Sequence, residues 1–553
     1  MSPTSKILTT LTLVIILSTA TLAQQVHARA DRWTGLTSMQ NDMGLFGFEG
    51  GDPCDSNRVP GLELPGGSGQ QYLGYAALWV GGLIIEQGFE TKRVSTATDG
   101  WLSPSINELW PVSGAESGIV ETSRRDTVDC HDENIHDVAA LADHQFTTVF
   151  ADTFRDPGFV ENDPIDGGHR PLGVKITRTT YSMMDAPGNH IYWIRYHLEN
   201  IASNFLKNLY LGVLLEGEVR DPSESHSDDD LFGFDPASNV AYHCDNDGRR
   251  EGDSTGNNFT VPNAVGFCFL TDPENRERLS FNWWMSHGEV EHDFGPAWED
   301  YALRDSMELG WTRLFGTPMG DEHKYQLMSN GEQDYDQART ADSAWIAGHP
   351  QQGKVWSRAD YPDNAFDIAN GSYARALLSV GPTGVYDYTD QSGRRIYRLN
   401  PGEECDVWMA CVGGLNFHNP ERPQPGNRVI DPVLFDLTDL RAHVQTARLG
   451  LGRPWLAARE SHSVPPVEFT LSPVYPNPFN ASTRIRFDVS RAGMTQINVY
   501  DVMGRLVQTL AAGTFSAGHH EVRWDASGLS SGVYFVRAIA AGQSAVQKAL
   551  LLR

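Results

Sequence analysis

The chain has 553 residues, with 71 Asp or Glu against 43 Lys or Arg and a net charge of −28. An acidic surface of that size excludes nucleic acid and anionic membrane surfaces as partners, since both repel it. Charged residues at 21% and aromatics at 10% exclude a disordered chain, and the length allows two to four domains with real cores.

In chain order, Lys6 precedes an apolar run from Leu11 to Leu17, and small residues lead to Thr21-Leu22-Ala23. This pattern predicts a secretory signal over residues 1–23, with Ala28-Arg29-Ala30 as a weaker cleavage site. The run is short for a spanning helix, and no Cys near the cleavage site suggests a lipid anchor. No other long apolar run occurs, so no transmembrane span is expected in the mature protein.

From Asp31 to Gly450 turn residues recur between short apolar runs, which predicts a mainly β body, expected as two sandwich-like antiparallel domains. Tyr72 to Ile85 reads as a hairpin or a pair of strands around Gly81-Gly82. Val174–Tyr181, His190–Leu198 and Asn208–Val219 give the clearest sheet signal and suggest a meander. In the second of these Ile191, Trp193, Arg195 and His197 share one face, and Tyr192, Ile194, Tyr196 and Leu198 the other. Asp436 to Leu449 is the best helix, with Leu437, Leu440 and Val444 on one side. No repeat of twenty to fifty residues supports a propeller or solenoid.

The six cysteines are sparse for an exported chain and contain no Cys-x-x-Cys, which excludes thiolate zinc sites and thioredoxin-like chemistry. Cys244 and Cys268 flank a Gly/Asn-rich loop and form the more plausible bridge. Cys405 and Cys411 need a turn between them, and Cys54 and Cys130 are left over.

Catalytic signatures are absent. Gly66-Gly67-Ser68-Gly69 lacks the last glycine of a nucleophile elbow, and His131 and His136 are five apart, which does not place two ligands on one helical face. No phosphate-binding or dinucleotide loop occurs. If extended, His287, Glu289, Glu291 and Asp293 share a face that suits a metal or paired carboxylates acting on a glycan, though a solvated hairpin tip reads as well. Asp228, Asp229 and Asp230 lie close to Asp245-Asn246-Asp247-Gly248. Carboxylates two apart before a glycine match the middle of a calcium loop, but His243 and Ser254 stand where an EF-hand needs acidic ligands. Two acidic loops of this kind can share a Ca²⁺, or lie in solvent. Glu332, Asp334 and Asp336 form a third acidic face.

Residues 451–470 carry Pro454, Pro465 and Pro466 and read as a linker. Beyond it the charge reverses: from Leu471 onward there are eight Lys or Arg and four Asp or Glu, so this tail is about +4 and the rest about −32. Ile485, Phe487 and Val489 alternate with Arg484, Arg486 and Asp488. Ile497 and Val499, Val522 and Trp524, and Val533 and Phe535 give further apolar faces. Glycines at 504, 518, 528 and 542 separate them, as in a small Ig-like β-sandwich. The tail opens with Tyr475-Pro476-Asn477-Pro478-Phe479-Asn480, continues through Tyr500-Asp501-Val502-Met503-Gly504-Arg505, Gly518 with Trp524, and Gly532-Val533-Tyr534, and closes after Lys548.

These elements resemble the C-terminal sorting domain of the type IX secretion system (type A) over residues 471–553. The resemblance implies export across the outer membrane to the cell surface or medium, type IX machinery as partner, and removal of the tail near 460–475 with attachment of the body to a lipopolysaccharide. The body resembles uncharacterised exported proteins with this tail, through Tyr72-Leu73 with Leu78-Trp79-Val80-Gly81-Gly82, Asp228–Asp235, Ser280-Phe281-Asn282-Trp283-Trp284 with Asp293-Phe294-Gly295-Pro296, and Asn330–Gln337. That likeness brings no known activity. The expected function is therefore a secreted or surface β-rich protein with a non-catalytic body. The alternative is a secreted polysaccharide or peptide hydrolase with acidic groups around Glu289 and Glu291 or Asp228–Asp230.

Overall fold

The computed structural model describes residues 48–49 and most of 62–552. The longer stretches outside the description are 1–47, 50–61, 99–107, 126–134, 222–228, 250–258, 271–278, 286–317, 349–361 and 452–468. The signal segment, Cys54, Cys130, Asp228, the His287–Asp293 segment and most of the linker fall among them. The chain divides into two compact units, residues 1–451 and 452–553.

In the first unit the strands are β1 (Phe48–Glu49), β2 (Tyr75–Glu86), β3 (Phe89–Thr96), β4 (Trp110–Pro111), β5 (Ile119–Thr122), β6 (His144–Ala151), β7 (Val174–Ser182), β8 (Ile191–Asn200) and β9 (Leu206–Glu216). They continue as β10 (Asp230–Asp235), β11 (Val240–Asp245), β12 (Ala264–Phe269), β13 (Leu279–Met285), β14 (Ala374–Thr383), β15 (Val385–Thr389), β16 (Arg395–Leu399) and β17 (Glu404–Gly414). Helices α1 (Gly320–Ser329), α2 (Ser343–Gly348), α3 (Pro362–Asn370) and α4 (Thr438–Leu451) are inserted among or follow them. One sheet has the order β1-β2-β9-β14-β13, with β3 on β2 and β15-β16 joining beside β9; the other runs β10-β11-β12-β17-β8-β7-β6-β4, with β5 on β6. All these pairings are antiparallel.

The inner faces of the two sheets make one apolar core. Leu78, Val80, Leu211, Val213, Leu378 and Trp283 come from the first sheet, and Ile194, Tyr196, Phe232, Phe267 and Met409 from the second. The alternation read in residues 191–198 is realised: Tyr192, Ile194, Tyr196 and Leu198 face this core. On the other face Trp193 donates to the carbonyl of Ala447 in α4 at 3.0 Å, while Arg195 and His197 meet Asp406.

Three expectations need correction. β7, β8 and β9 are not a meander, because β8 belongs to the second sheet and β9 to the first. The Glu199–Asn204 segment is an arch between sheets, fixed by Asn200, whose Nδ2 donates to the carbonyls of Asn204 and Leu399. Residues 75–86 are one strand rather than two. Gly81-Gly82 does not turn the chain; it makes room, since a Cβ on Gly81 would lie 2.9 Å from Met328 Sδ of α1. Finally, Cys244, Cys268, Cys405 and Cys411 form none of the expected disulfide bridges. Cys244 faces Ala264 and Cys268 faces Ala410 across the ladder, so neither meets the other, and Cys405 and Cys411 are spread along one straight strand.

Helix α4 falls where its apolar spacing predicted, burying Leu440, His443, Val444 and Ala447. Helix α1 was not foreseen. It lies on the first sheet and buries polar and apolar residues alike, including His323, Lys324, Tyr325 and Met328. Its last carbonyls need donors. Asn282 Nδ2 reaches Leu327 O at 3.1 Å, and the Ser280 and Ser379 hydroxyls reach Met328 O at 3.4 and 3.0 Å.

In the second unit β18 (Thr470–Leu471), β19 (Ser482–Val489) and β22 (Gly518–Asp525) form a three-stranded sheet. β20 (Gly493–Asp501), β21 (Leu506–Phe515), β23 (Gly532–Ala540) and β24 (Gln543–Leu551) form a four-stranded one. Ile485, Phe487, Val489, Ile497, Val499 and Trp524 meet in its core as their alternation predicted. The fourth apolar face is corrected: Tyr534, Val536 and Ala538 point inward and Phe535 outward. A shift of one residue exchanges the faces of a strand, and an apolar run on both parities leaves that choice to the ladder.

Candidate functional site

The acidic segments of the body sit at one end of the second sheet. β10 and β11 pair with Asp230 opposite Asp245, so both carboxylates leave the same face of the ladder. Asp229, Asp230 and Asp245 are buried, and one oxygen from each lies within 4.8 Å of the others. Backbone donors fix part of this arrangement. Val219 N–H donates to Asp230 Oδ2 at 2.9 Å, and Asp247 N–H and Gly248 N–H donate to Asp245 Oδ1. Gly248 has φ +78°, which supplies the tight turn expected of the Asp-x-Asp-Gly run. Burial, and then the charges of Asp229, Asp247 and Asp230, push the Asp245 carboxyl well above the ordinary carboxylate range.

Of the residues expected to share an ion, three therefore converge. Asp247 is not in that group: its Oδ1 accepts from Arg249 N–H and its Oδ2 lies 3.3 Å from the Arg249 guanidinium, although its charge still bears on Asp245. Asp228 lies outside the described residues, as do His287, Glu289, Glu291 and Asp293. The third acidic face is not a solvent loop. Asp334 Oδ2 accepts from Trp283 N–H at 3.1 Å on β13, and Asp336 Oδ1 from Phe234 N–H at 2.8 Å on β10. Both strands end their sheets, so residues 332–337 cover exposed ladder edges.

Two clusters gave no sequence signal. His169 is held between carboxylates, with Nδ1 2.7 Å from Glu108 Oε1 and Nε2 2.6 Å from Asp152 Oδ1, all three side chains buried. Ser95 Oγ donates to Asp152 Oδ2 at 2.6 Å and Thr96 N–H to Glu108 Oε2 at 2.8 Å. Burial alone would lower the imidazole pKa, but the bonds and charges of Asp152 and Glu108 outweigh it and raise the value to about 10. Burial likewise pushes Glu108 up, and His169 and Lys324 overcome it and hold the carboxyl below its ordinary value. On the outer face of β8 and β17, Asp406 accepts from Arg195 at 2.9 and 2.8 Å and pairs with His197 Nδ1 at 2.8 Å. Residues this far apart in sequence leave no local pattern to read.

In the second unit the expected motif residues are mostly scaffold. Asn477 Nδ2 donates to Lys548 O at 2.8 Å and its Oδ1 accepts from Leu550 N–H at 2.7 Å. Phe479 continues the contact, donating from N–H to Leu550 O at 3.0 Å and accepting at its carbonyl from Leu552 N–H at 2.9 Å. Its ring lies 5.0 Å from that of Trp524, which meets Tyr534 edge-on. The entry segment is thereby bound to the last strand. Asp501 Oδ1 accepts from Met503 N–H and Arg505 N–H, Arg505 Nε donates to Asp501 Oδ2 at 2.8 Å, and Gly504 has φ +75°. This rigid turn explains the Tyr500–Arg505 run. Tyr475, Pro476 and Pro478 lie outside the described residues.

Among solved structures, a polysaccharide lyase matches at 10% identity over 86% of this chain and 46% of that one, with a TM-score of 0.17, so the chain spans about half of that protein's length. The Slr1438 protein of Synechocystis sp. PCC 6803 matches at 9% identity over 70% and 96% of the two chains, TM-score 0.21. A putative aldose 1-epimerase of Escherichia coli K12 matches at 9% identity over 70% and 99%, TM-score 0.25. Scores so low carry no argument about activity. No curated protein matches the chain. No helix among the described residues is long and apolar enough to cross a membrane. The family model for the secretion system C-terminal sorting domain matches residues 473–552. The C-terminal unit is accordingly a type IX secretion sorting domain, and it directs the chain to the cell surface or the extracellular space.

Proposed function

We propose that the sorting domain delivers a non-catalytic body that serves outside the cell as a structural or interaction module. The observation that carries this reading is where six acidic groups among the body's described residues lie. Glu108, Asp152, Asp229, Asp230, Asp245 and Asp334 are all less than one-tenth exposed. A glycan hydrolase, or a peptide hydrolase that works with acidic groups alone, needs two carboxylates facing each other across a space that admits its substrate. Enclosed carboxylates that hold strands, edges and one another suit architecture instead. On this reading the type IX machinery engages the sorting unit. The tail is then removed within about residues 460–475, and the body is joined to a surface lipopolysaccharide.

The test uses a host with a working type IX machine. Deleting Leu471–Arg553 should leave the body soluble in the periplasm, and fusing that segment to an unrelated periplasmic reporter should send the reporter outside. The exported full chain, given panels of polysaccharides and peptides, should release no new reducing ends or amines. Surface arrival of the truncated chain would overturn the export argument. Turnover by the full chain would replace the structural reading with the hydrolase one.

A further inference from the structure

The group formed by Asp229, Asp230 and Asp245 has a neighbour that carboxylates alone do not explain. Asn246 is fully buried, and its amide orientation is fixed because Nδ2 donates to the carbonyl of Asn370 at 2.5 Å. Its acceptor end, Oδ1, has no hydrogen-bond donor. A buried amide oxygen without a donor is costly and uncommon. Asn370 leads into Gly371, which has φ +110° and is pressed on Asp229: a Cβ there would lie 2.2 Å from the Asp229 carbonyl. The Asn246 side chain is thereby tied to the turn that presses on the Asp229 backbone.

Acceptors gathered in an enclosed space call for a positive ligand. Carboxylate and amide oxygens, with no thiolate or imidazole among the converging atoms, are the donor set of a hard divalent cation. Enclosure favours Ca²⁺ over Mg²⁺, which keeps several waters that an enclosed site does not readily admit. The carboxylate oxygens lie within 4.8 Å of one another, close enough for one ion to bridge them.

We propose that the ends of β10 and β11 form a binding site for one Ca²⁺, ligated by Asp229, Asp230 and Asp245 and by the side-chain carbonyl of Asn246. The ion ties the start of β10, the turn after β11 and the end of α3 into one piece. This does not depend on the export reading.

The test is calcium binding by the full chain after treatment with EGTA, followed by calorimetry with CaCl₂ and with MgCl₂ and by thermal melting in each. One Ca²⁺ should bind per chain. A hundredfold excess over the dissociation constant should raise the melting temperature of the body by about 3 °C, because the ion binds only the folded state. Asp245→Asn should abolish the shift yet melt in EGTA no lower than the unsubstituted protein, since it removes a charge from a crowded acidic group. Asn246→Leu leaves every carboxylate in place and should weaken Ca²⁺ binding at least about tenfold, a loss on the scale of one charge-assisted contact. No bound Ca²⁺, an equal response to Mg²⁺, or unchanged Ca²⁺ affinity in Asn246→Leu would each overturn the assignment.

Discussion

Replacing His169 by Gln tests the buried Glu108–His169–Asp152 cluster through its pH dependence. The imidazole titrates near 10 in the folded protein and near its ordinary 6.5 when unfolded. A raised folded pKa contributes stability that is fully present below about pH 6.5 and is lost as pH rises through 10. Within that range the folded protein holds one more proton, so stability falls by about 1.4 kcal/mol per pH unit, or about 2.7 kcal/mol between pH 7 and 9. Unfolding entropy of about 2.1 cal/mol/K per residue, taken over the 451 residues of the first unit, converts this to about 3 °C. The Gln variant leaves two buried carboxylates without their cation and should be about 3–5 kcal/mol less stable at pH 6. The gap should then narrow by that 2.7 kcal/mol from pH 7 to 9. Differential scanning calorimetry of both full chains at pH 6, 7, 8 and 9 reads it. His197 is also raised, to about 9, by Asp406 and Glu404, so the difference between the two proteins is the quantity to compare. A gap of the same size at pH 6 and pH 9 would show that His169 is not the proton carrier. On the acid side the depressed Glu108 contributes stability above about pH 4.5 and loses it as pH falls through its folded value.

Asn477→Ala removes the two bonds that bind the entry segment to the last strand of the sorting unit. It should cost about 1–2 kcal/mol and speed hydrogen exchange of the Leu550 amide about tenfold in the full chain, with less protein reaching the surface. Gly371→Ala forces a side chain into a left-handed position against the Asp229 backbone, and it should cost about 3 kcal/mol or more and lower the melting temperature of the body by about 3 °C.

Legibility followed sequence separation. The sorting unit was readable because its strands alternate cleanly and its motifs act locally. Asp501 closes a turn on Arg505 four residues away, and Ile485, Phe487 and Val489 commit one face of a strand to the core. Even there the face of β23 was set by its neighbours and not by its own apolar run. In the body the strands themselves were visible, but their assignment to sheets was not, because β8 and β9 read alike and only the arch at Asn200 separates them. The acidic loops were readable in part. Asp229, Asp230 and Asp245 stood out by composition, whereas Asn246 acquires meaning only from Asn370, and His169 only from Glu108 and Asp152. α1 escaped because it buries His323 and Lys324 together with Tyr325, Leu327 and Met328, so its sequence carries no clean apolar stripe.

The two buried acidic clusters of the body answer one electrostatic problem in opposite ways. A carboxylate taken out of water needs compensating charge or strong donors nearby. At Glu108 the charges that weigh most are positive, from His169 and Lys324, and the carboxyl stays ionised below its ordinary value. At Asp245 the charges that weigh most are negative, from Asp229, Asp247 and Asp230, and the carboxyl is driven up. The first cluster carries its cation as a side chain and is complete when the chain folds. The second gathers oxygens and, on the proposal made for it, is completed by a Ca²⁺ that the chain does not supply. Dependence on solution conditions should divide along the same line. The His169 cluster responds to pH and is indifferent to chelator. The Asp229–Asp230–Asp245 group responds to Ca²⁺, and more weakly as acid protonates its ligands, because metal binding requires the ionised carboxylates.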